Sequence, residues 1–475
     1  MKLYELIEKN TVLSGAEYLS LDVTQVTDDS RKIKPGGAFF ASVKDAEHIS
    51  DALRRGAAVI VSESAVGVGA PCVTVKNTRH AFSVACQRTR GCPGEKMKLV
   101  AVTGTNGKTS VSLMISHILT FAGEKTGVIG TTGNYVGGKF HPASYTTPPP
   151  DALADLLSKM ADAGCTHAVM EASSHALSQR RTDGLTFDIG IFTNLTRDHM
   201  DYHKTENEYA ESKARLFESS RSSVINLDDA RAEQMAWHAA GDVYYVSKFE
   251  RRAEYLAHDI ALGMSKLDFT LDTPRGAAEI KTSLTGDFNV YNVAEAFAAA
   301  EICGVDQDTV RAALASFSGV NGRTEEVGNG DISVIIDYAH TPDALEKVLS
   351  SLSRLPHGRI ITVFGCGGER DRGKRPMMGA VAARFSDLVV LTSDNPRSED
   401  PDAIIDDIAA GIPCDAAVIR EPDRAAAIKL AIGKAARGDT VLIAGKGHED
   451  YIVDARGKRH FSDRDEVIKY FEKGK

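Results

Sequence analysis

The chain has 475 residues, 43% of them hydrophobic, which is too long for one compact core and sets an expectation of roughly two to four domains. Its formal charge of −9, with no long Lys/Arg run, excludes an extended nucleic-acid footprint but leaves room for a basic pocket that takes a small anion. No stretch approaches the about 20 apolar residues of a membrane span, so neither a nucleic-acid partner nor a membrane is expected.

The first segment, residues 1–95, opens on "MKLYELIEKN", whose early acids leave no apolar signal core, and a cytoplasmic protein is expected. It holds short mixed elements, "GGAFFAS" and "GAAVIVSE" among them, and ends at the linker-like "RGCPGEKMK". The second, residues 96–325, carries apolar strands at "LVAVTG", "HAVMEAS", "DIGIFTNL" and "SSVINLDD", separated by helical patterns as βαβ units require. It runs through the helix "NVYNVAEAFAAAEIC" to "SGVNGRTEEV". The third, residues 326–475, restarts the alternation with "ISVIIDYA", "RIITVFG", "DLVVLTSD" and "TVLIAG". There is no internal repeat, and "TTPPPD" is a local turn. The seven cysteines are odd in number, scattered and without a C-x-x-C pair, so they read as reduced, buried small hydrophobes.

"KLVAVTGTNGKTSVSLMI", residues 98–115, joins an apolar strand to a helix through a glycine-bearing turn. Backbone N–H groups of Gly104, Thr105, Asn106, Gly107, Lys108 and Thr109 can cradle phosphate oxygens at the helix N-terminus. Lys108 would reach the β- and γ-phosphates and Thr109 would hold Mg²⁺. The strict pattern G-x-x-x-x-G-K-[ST] needs glycine where Val102 stands. An ordinary glycine turn is the alternative, and the ordered strand, loop, Gly-Lys-Thr and helix argue against it. The motif points to a nucleotide without naming a reaction.

The variant "GTNGKTS" resembles the ATP-dependent Mur ligases and folylpolyglutamate synthetases, which make amide bonds. In that group ATP phosphorylates a substrate carboxylate, and an amine displaces phosphate from the acyl phosphate. The resemblance assigns the stretch through Ser110 to ATP. It makes Glu171 in "MEASSHAL" and His199 in "TNLTRDHMDYH" metal-site residues; Glu171 ends an apolar strand, where α/β sheets present ligands, and Mg²⁺ prefers oxygen. Lys213 in "YAESKARLFESS" reads by itself as a solvated surface lysine; the matching lysine of the family is carbamylated, which turns a cation into a metal ligand. Whether one metal or two is held stays open. "GDFNVYNVAEA" matches the family's G-x-F-N-x-x-N, which places Asn292 at the adenine side. Arg323 in "GVNGRTEEV" is a candidate for the phosphate charge, with Thr324 where the family usually has Met. Asp337 in "IIDYAH" would contact the ribose or nucleotide.

The same resemblance bears on what is joined. "VTDDSRKIKPGGAFFAS" is similar to the uridine-nucleotide-binding stretch of the Mur ligases that add the third peptide residue, with Ser30 as the matching contact. "SVKDAEHIS" departs from the small, glycine-containing stretch usual after Ala41. Thr146, Thr147, Ser173, Gln179 and Arg181 match residues that hold the UDP-muramoyl dipeptide, although capping and turn chemistry alone would account for the serines and threonines. In "TSDNPRSEDP" the bland reading is a turn before a helix. Arg397 is nevertheless a planar fork suited to a carboxylate, and it would repel the cationic end of a lysine substrate. In the resembling family D-N-P-R marks enzymes adding meso-diaminopimelate, so Asp394, Asn395, Pro396 and Arg397 are implied acceptor contacts. Arg370, Gly445 and Glu449 match the rest, and Glu449 could pair with an amine of the acceptor.

A GTPase switch should show N-K-x-D, and none is present. In "VFGCGGERDRG" the dinucleotide pattern G-x-G-x-x-G fails at Arg370. A lysine-adding relative and a folylpolyglutamate synthetase are the nearer alternatives, opposed by Arg397 and the Ser30 stretch. The expectation is a monomeric three-domain α/β enzyme: an N-terminal mixed α/β substrate domain, a central P-loop ATPase-like parallel-sheet domain and a C-terminal Rossmann-like domain. It would use ATP and Mg²⁺ to join meso-diaminopimelate to UDP-N-acetylmuramoyl-L-alanyl-D-glutamate.

Overall fold

Three sheets account for the alternation of strand and helix patterns. The computed structural model describes residues 1–41, 46–67, 69–328 and 330–473. The departure from the family pattern after Ala41 begins with residues 42–45, which lie outside the described residues.

The N-terminal unit is a five-stranded sheet in the order Val12–Ser14, Cys72–Val75, Val59–Ser62, Ala38–Ala41, Val26–Thr27. Only Val12–Ser14 runs antiparallel to its neighbour. The runs "AFFA" and "VIVS" are buried at every position, as parallel strands covered on both faces require. The helix Thr78–Arg88 covers one face, with Phe82 against Phe40 at 5.4 Å between ring centroids.

The central unit is an eleven-stranded sheet. Its parallel middle runs Thr126–Gly130, His167–Glu171, Lys98–Thr103, Phe187–Phe192, Ser220–Asn226, Asp242–Ser247. The sheet is not purely parallel, however. Gly133–Val136 and Lys139–His141 extend one edge antiparallel, and Lys266–Thr273 and Gly276–Thr282 extend the other beyond Tyr255–Gly263. The helices Lys108–Phe121 and Asn289–Cys303 pack on one face through Val111, Met114, Ile115, Val293 and Phe297. On the opposite face Pro150–Asp162 and Glu206–Glu218 bury Leu153, Leu157, Ala214 and Phe217.

Chain order reverses around Lys98–Thr103. The next four strands lie on one side of it and Phe187–Phe192 on the other, with Glu171 in register with Val102 and Phe192 with Thr103. A crevice at the carboxyl ends of such strands is where α/β sheets bind ligands.

The C-terminal unit is a six-stranded sheet in the order Glu325–Glu326, Ser333–Asp337, Thr440–Ala444, Ile360–Phe364, Leu388–Leu391, Val418–Arg420, parallel after its first strand. A hairpin, Tyr451–Asp454 with Gly457–His460, stands beside it. All seven cysteines are free, but only Cys86, Cys165 and Cys366 are buried; Cys72, Cys92 and Cys303 are half-buried and Cys414 is exposed. Among the described residues no helix is long and apolar enough to cross a membrane.

Candidate active site

The turn after Lys98–Thr103 is held by two glycines whose backbone no other residue fits. Gly104 has φ +152° and Gly107 φ +89°. A Cβ would come within 1.9 Å of Thr193 Oγ1 at the first and 2.6 Å of Asn292 Oδ1 at the second. The Thr105 amide donates to the Asn194 carbonyl at 2.8 Å and the Asn106 amide to Asn194 Oδ1 at 3.0 Å. Those two amides therefore face the protein, not an anion. The anion position falls instead to the first turn of the helix Lys108–Phe121, where amides have no partner within the helix. Lys108 folds back over the loop, its Nζ 2.9 Å from the carbonyls of both Gly104 and Thr105. Lys213 is no surface lysine: it is 1% exposed, its Nζ donates to the Gly104 carbonyl at 2.7 Å, and it sits 4.5 Å from the Tyr209 ring centre. Burial first, and then the charge of Lys108, push the Lys213 ammonium well below its ordinary range.

Thr109 Oγ1 donates to Glu171 Oε1 at 3.0 Å, and Arg323 Nη2 stands 3.3 Å from the same hydroxyl. Glu171 also accepts from the Thr131 amide and hydroxyl, at 2.9 and 3.0 Å. His199 has φ +56° and its ring meets those of His175 and Tyr209. Burial depresses the His199 imidazolium against the pull of the facing Asp198 carboxylate. Burial works against Asp198 as an anion, yet the facing His199, His340 and Lys374 hold its carboxyl low. Among the described residues no group of three or more His, Cys, Asp or Glu is placed to hold a metal. Thr109, Glu171 and His199 supply two oxygen donors and a nitrogen, and a carbamate on Lys213 would add the second anionic oxygen donor that a hard cation prefers. With that modification the residues fit Mg²⁺.

A cavity of about 310 Å³ opens beside the loop, lined by Asn106, Ser110, Asn292, Arg323, Asp337 and Tyr338. Asn292 is oriented by a 2.7 Å bond from its amide to Asn289 Oδ1. The Arg323 guanidinium lies 4.3 Å over the Tyr338 ring, and its buried Nε has no protein partner. Asp337 lines the cavity with both oxygens already engaged: Oδ2 takes the Thr324 amide and hydroxyl, and Oδ1 takes the Ala339 amide. It fixes the backbone that carries Arg323.

The residues matched to a dipeptide substrate form one network that begins at Glu171. Thr147 Oγ1 donates to the Glu171 carbonyl at 2.7 Å and accepts from the Ser173 amide at 3.0 Å. Arg181 Nη1 donates to the Thr147 carbonyl at 2.8 Å, and its other nitrogens hold Gln179 Oε1. Thr146 Oγ1 accepts from Thr131, which also holds Glu171. Ser173 caps the helix Ser174–Ser178 as well, so the bland reading of that serine holds beside the functional one. Ser30 stands in the N-terminal unit, on the single turn Ser30–Lys32, whose Lys32 lies 4.0 Å from Asp151.

In the C-terminal unit Asp394, Asn395, Gly445 and Glu449 gather beyond the ends of Leu388–Leu391 and Thr440–Ala444, the two strands that flank Ile360–Phe364. Lys446, which the sequence reading passed over, is fully buried among them, 3.2 Å from Asp394 Oδ1 and 3.1 Å from Glu449 Oε2. Its only signal was its position inside "GKGHED". Arg397 has φ +56° and donates through Nη1 to the Gly368 carbonyl at 2.6 Å. Arg370 is exposed, and a Cβ at Gly367 would lie 3.2 Å from Arg397 Nη1 and 3.6 Å from Arg370 Cγ, so the two arginines flank that glycine. Contacts cross to the central unit: Asn106 Nδ2 to Asp343 Oδ2 at 3.1 Å, Arg197 to Asp371 at 3.6 Å and His340 to Asp198 at 4.0 Å.

Comparison with known proteins adds three findings. The Mur ligase middle domain matches residues 102–300, and the Mur ligase glutamate ligase domain matches residues 322–447. A UDP-N-acetylmuramoyl-L-alanyl-D-glutamate–2,6-diaminopimelate ligase of Gloeobacter violaceus is 41% identical over 98% of this chain and 97% of its own. One from Geobacillus kaustophilus is 40% identical over 93% and 94%. A solved structure of a ligase with that description superposes with a TM-score of 0.73 at 34% identity, covering 100% of this chain and 99% of the other. A folylpolyglutamate synthase of Mycobacterium tuberculosis, complexed with ADP and AMPPCP, shares the fold at a TM-score of 0.64 and 20% identity, over 78% and 92%.

Proposed function

The chain belongs to the Mur ligase family and is an ATP-dependent ligase; we propose that it joins meso-diaminopimelate to the D-glutamyl carboxylate of UDP-N-acetylmuramoyl-L-alanyl-D-glutamate, a step in making peptidoglycan precursors. ATP goes to ADP and phosphate through an acyl phosphate. Residues 1–95 and Ser30 take the uridine nucleotide, residues 96–325 the ATP, and residues 326–475 the incoming amino acid. ATP and a UDP-linked substrate are cytoplasmic molecules, which puts the reaction in the cytoplasm.

The observation that carries this reading is the double use of Glu171. Its carboxylate meets Thr109 of the phosphate loop, and its carbonyl meets Thr147 of the network expected to hold the dipeptide. A transferred phosphoryl group at the loop then lies beside a substrate carboxylate. Lys108 and Arg323 neutralise charge on the phosphates, and the orphan Nε of Arg323 is a donor held in reserve for them. Mg²⁺ held by Thr109, Glu171, His199 and the carbamate of Lys213 would supply further charge neutralisation. Thr146, Thr147, Ser173, Gln179 and Arg181 orient the dipeptide. Arg370 and Arg397 receive carboxylate of the acceptor, and Glu449 receives its ammonium. The acceptor's second amine, unprotonated, attacks the acyl carbon; the N–C bond forms as phosphate leaves, and the amine loses one proton.

Arg397 favours diaminopimelate over lysine, whose cationic end it would repel. The test is phosphate release with ATP, Mg²⁺ and the dipeptide substrate, comparing meso-diaminopimelate, L-lysine and no acceptor. Release with diaminopimelate alone, lost in Arg397→Ala, is expected. Equal use of lysine would sink the acceptor assignment while leaving the family untouched.

A further inference from the structure

The buried ammonium of Lys446 has three N–H donors and meets three acceptors. They are Asp394 Oδ1 at 3.2 Å, Asn395 Oδ1 at 3.2 Å and Glu449 Oε2 at 3.1 Å. All three belong to side chains of the acceptor site, and they come from two loops far apart in sequence. Lys446 itself is 0% exposed, so it cannot touch an acceptor directly. Asn395 is fixed by what surrounds it: Oδ1 also accepts from the Val453 amide at 2.9 Å, and Nδ2 donates to Glu449 Oε2 at 3.0 Å. Its amide therefore has one orientation, and Glu449 Oε2 is clamped by two donors at once. Arg424 holds the two loops in place from below, bound to Asp463 and donating to the carbonyls of Ser393 and Ala444.

We propose that Lys446 is a positioning residue for acceptor recognition, its ammonium aiming the Glu449 carboxylate at the amino group of the acceptor that is not acylated. The idea rests on the acceptor assignment made above. Without the ammonium, Glu449 Oε2 would keep only the Asn395 amide of its two clamping donors, and the carboxylate would turn away from the acceptor. Recognition of the distal ammonium would go with it, while the nucleotide and dipeptide sites, built on other loops, would not change.

The experiment compares two acceptors on two enzymes. Meso-diaminopimelate has two amino groups, and 2-aminopimelate keeps both carboxylates but has only one. For the unmodified enzyme, KM for 2-aminopimelate should exceed that for diaminopimelate by about tenfold or more, the size of one charge-assisted contact. In Lys446→Met the two KM values should converge, with KM for ATP and for the dipeptide substrate unchanged. A purely structural lysine would instead raise all three constants together, or lower kcat alone, and either result would overturn the proposal. Should Lys446→Met fail to fold, the unmodified enzyme still decides: equal KM for the two acceptors overturns the proposal. Absence of any diaminopimelate-dependent phosphate release would overturn the acceptor assignment and this proposal together.

Discussion

Lys108 and Lys213 donate to a single acceptor, the carbonyl oxygen of Gly104, at 2.9 and 2.7 Å. Two ammonium groups on one oxygen repel, and the charged form of each is disfavoured, that of buried Lys213 by burial and by the charge of half-buried Lys108. A lysine pushed towards its neutral form in this way becomes a better nucleophile. The neutral form is the one that adds CO₂ to give a carbamate, which would exchange the repulsion for an attraction to Lys108.

Lys213→Ala should accordingly lose about 10²–10³ in turnover, the cost typical of removing one preorganised charged group. Acetate or formate, small enough to enter the space left behind, should restore part of it and leave the unmodified enzyme unaffected. Full phosphate release by the variant without such additives would remove Lys213 from the site.

Gly107→Ala puts an L side chain at φ +89° and a Cβ 2.6 Å from Asn292 Oδ1. The left-handed backbone alone costs about 1–2 kcal/mol, and the clash turns Asn292 out of the cavity. Binding of a fluorescent ATP analogue should weaken by at least about tenfold. Lys108→Ala should stop ATP consumption; a variant that consumes ATP at the full rate would show that the loop has been misassigned.

Gly367→Ala tests the arginine pair. Its methyl group would press on Arg397 Nη1 at 3.2 Å and touch Arg370. KM for the acceptor should rise several-fold while KM for ATP stays constant, and steady-state kinetics with each substrate varied in turn would tell. A rise in both would mean that the strain spreads beyond the acceptor loop.

Glu295 is fully buried in the helix Asn289–Cys303, and neither of its carboxyl oxygens has a partner. Burial raises its ionisation well above the ordinary 4.5. In the unfolded chain the carboxyl ionises near that ordinary value, so stability is lost as pH rises from there towards the raised folded value. Glu295→Leu should stabilise the fold at neutral pH by about 1–3 kcal/mol, the usual cost of a buried unsatisfied polar group. The gain should shrink at acid pH. Urea midpoints across pH for both proteins would reveal it, and a constant difference would refute the titration.

His80 joins the N-terminal and central units. Its Nδ1 lies 2.7 Å from Asp183 and its Nε2 2.9 Å from Glu8, so both nitrogens must donate and only the imidazolium does so. The hydrogen bond to Asp183, with help from Glu8 and against burial, raises its pKa above 6.5. Its stabilisation is complete below 6.5 and disappears as pH rises through the raised value. Melting curves of His80→Gln should lack that decline; an unchanged pH dependence would exclude His80 as its source.

Much of this was legible in the chain. The strands around Lys98–Thr103 announced themselves as buried apolar runs, and the phosphate loop by its glycines and the helix that follows. Glu171 could be found because it ends such a run. Lys213 could not be separated from a surface lysine by residue type, because its burial depends on Tyr209 in its own helix and on Gly104 across the unit. The antiparallel edges escaped notice because strands such as Lys266–Thr273 expose alternate residues and lack the solid apolar run. Lys446 stayed hidden for a similar reason: a buried cation is defined by the acidic partners around it, and Asp394 lies 52 residues away.

Arg323 belongs to no strand or helix of either sheet. It lies on the connection between the helix Gln307–Ser316 and the strand Glu325–Glu326, reaching Thr109 on one side and Tyr338 on the other. Next to it, Gly322 is in backbone contact with Gly447 and His448, the loop that carries Lys446 and Glu449. The joint between the two sheets is thus an interlock. The contact is made by backbone atoms of Gly447 and His448 against the residue before Arg323, so the Lys446 side chain takes no part in it. The phosphate side and the acceptor side of the cleft therefore share one run of closely packed backbone at Gly322, Gly447 and His448.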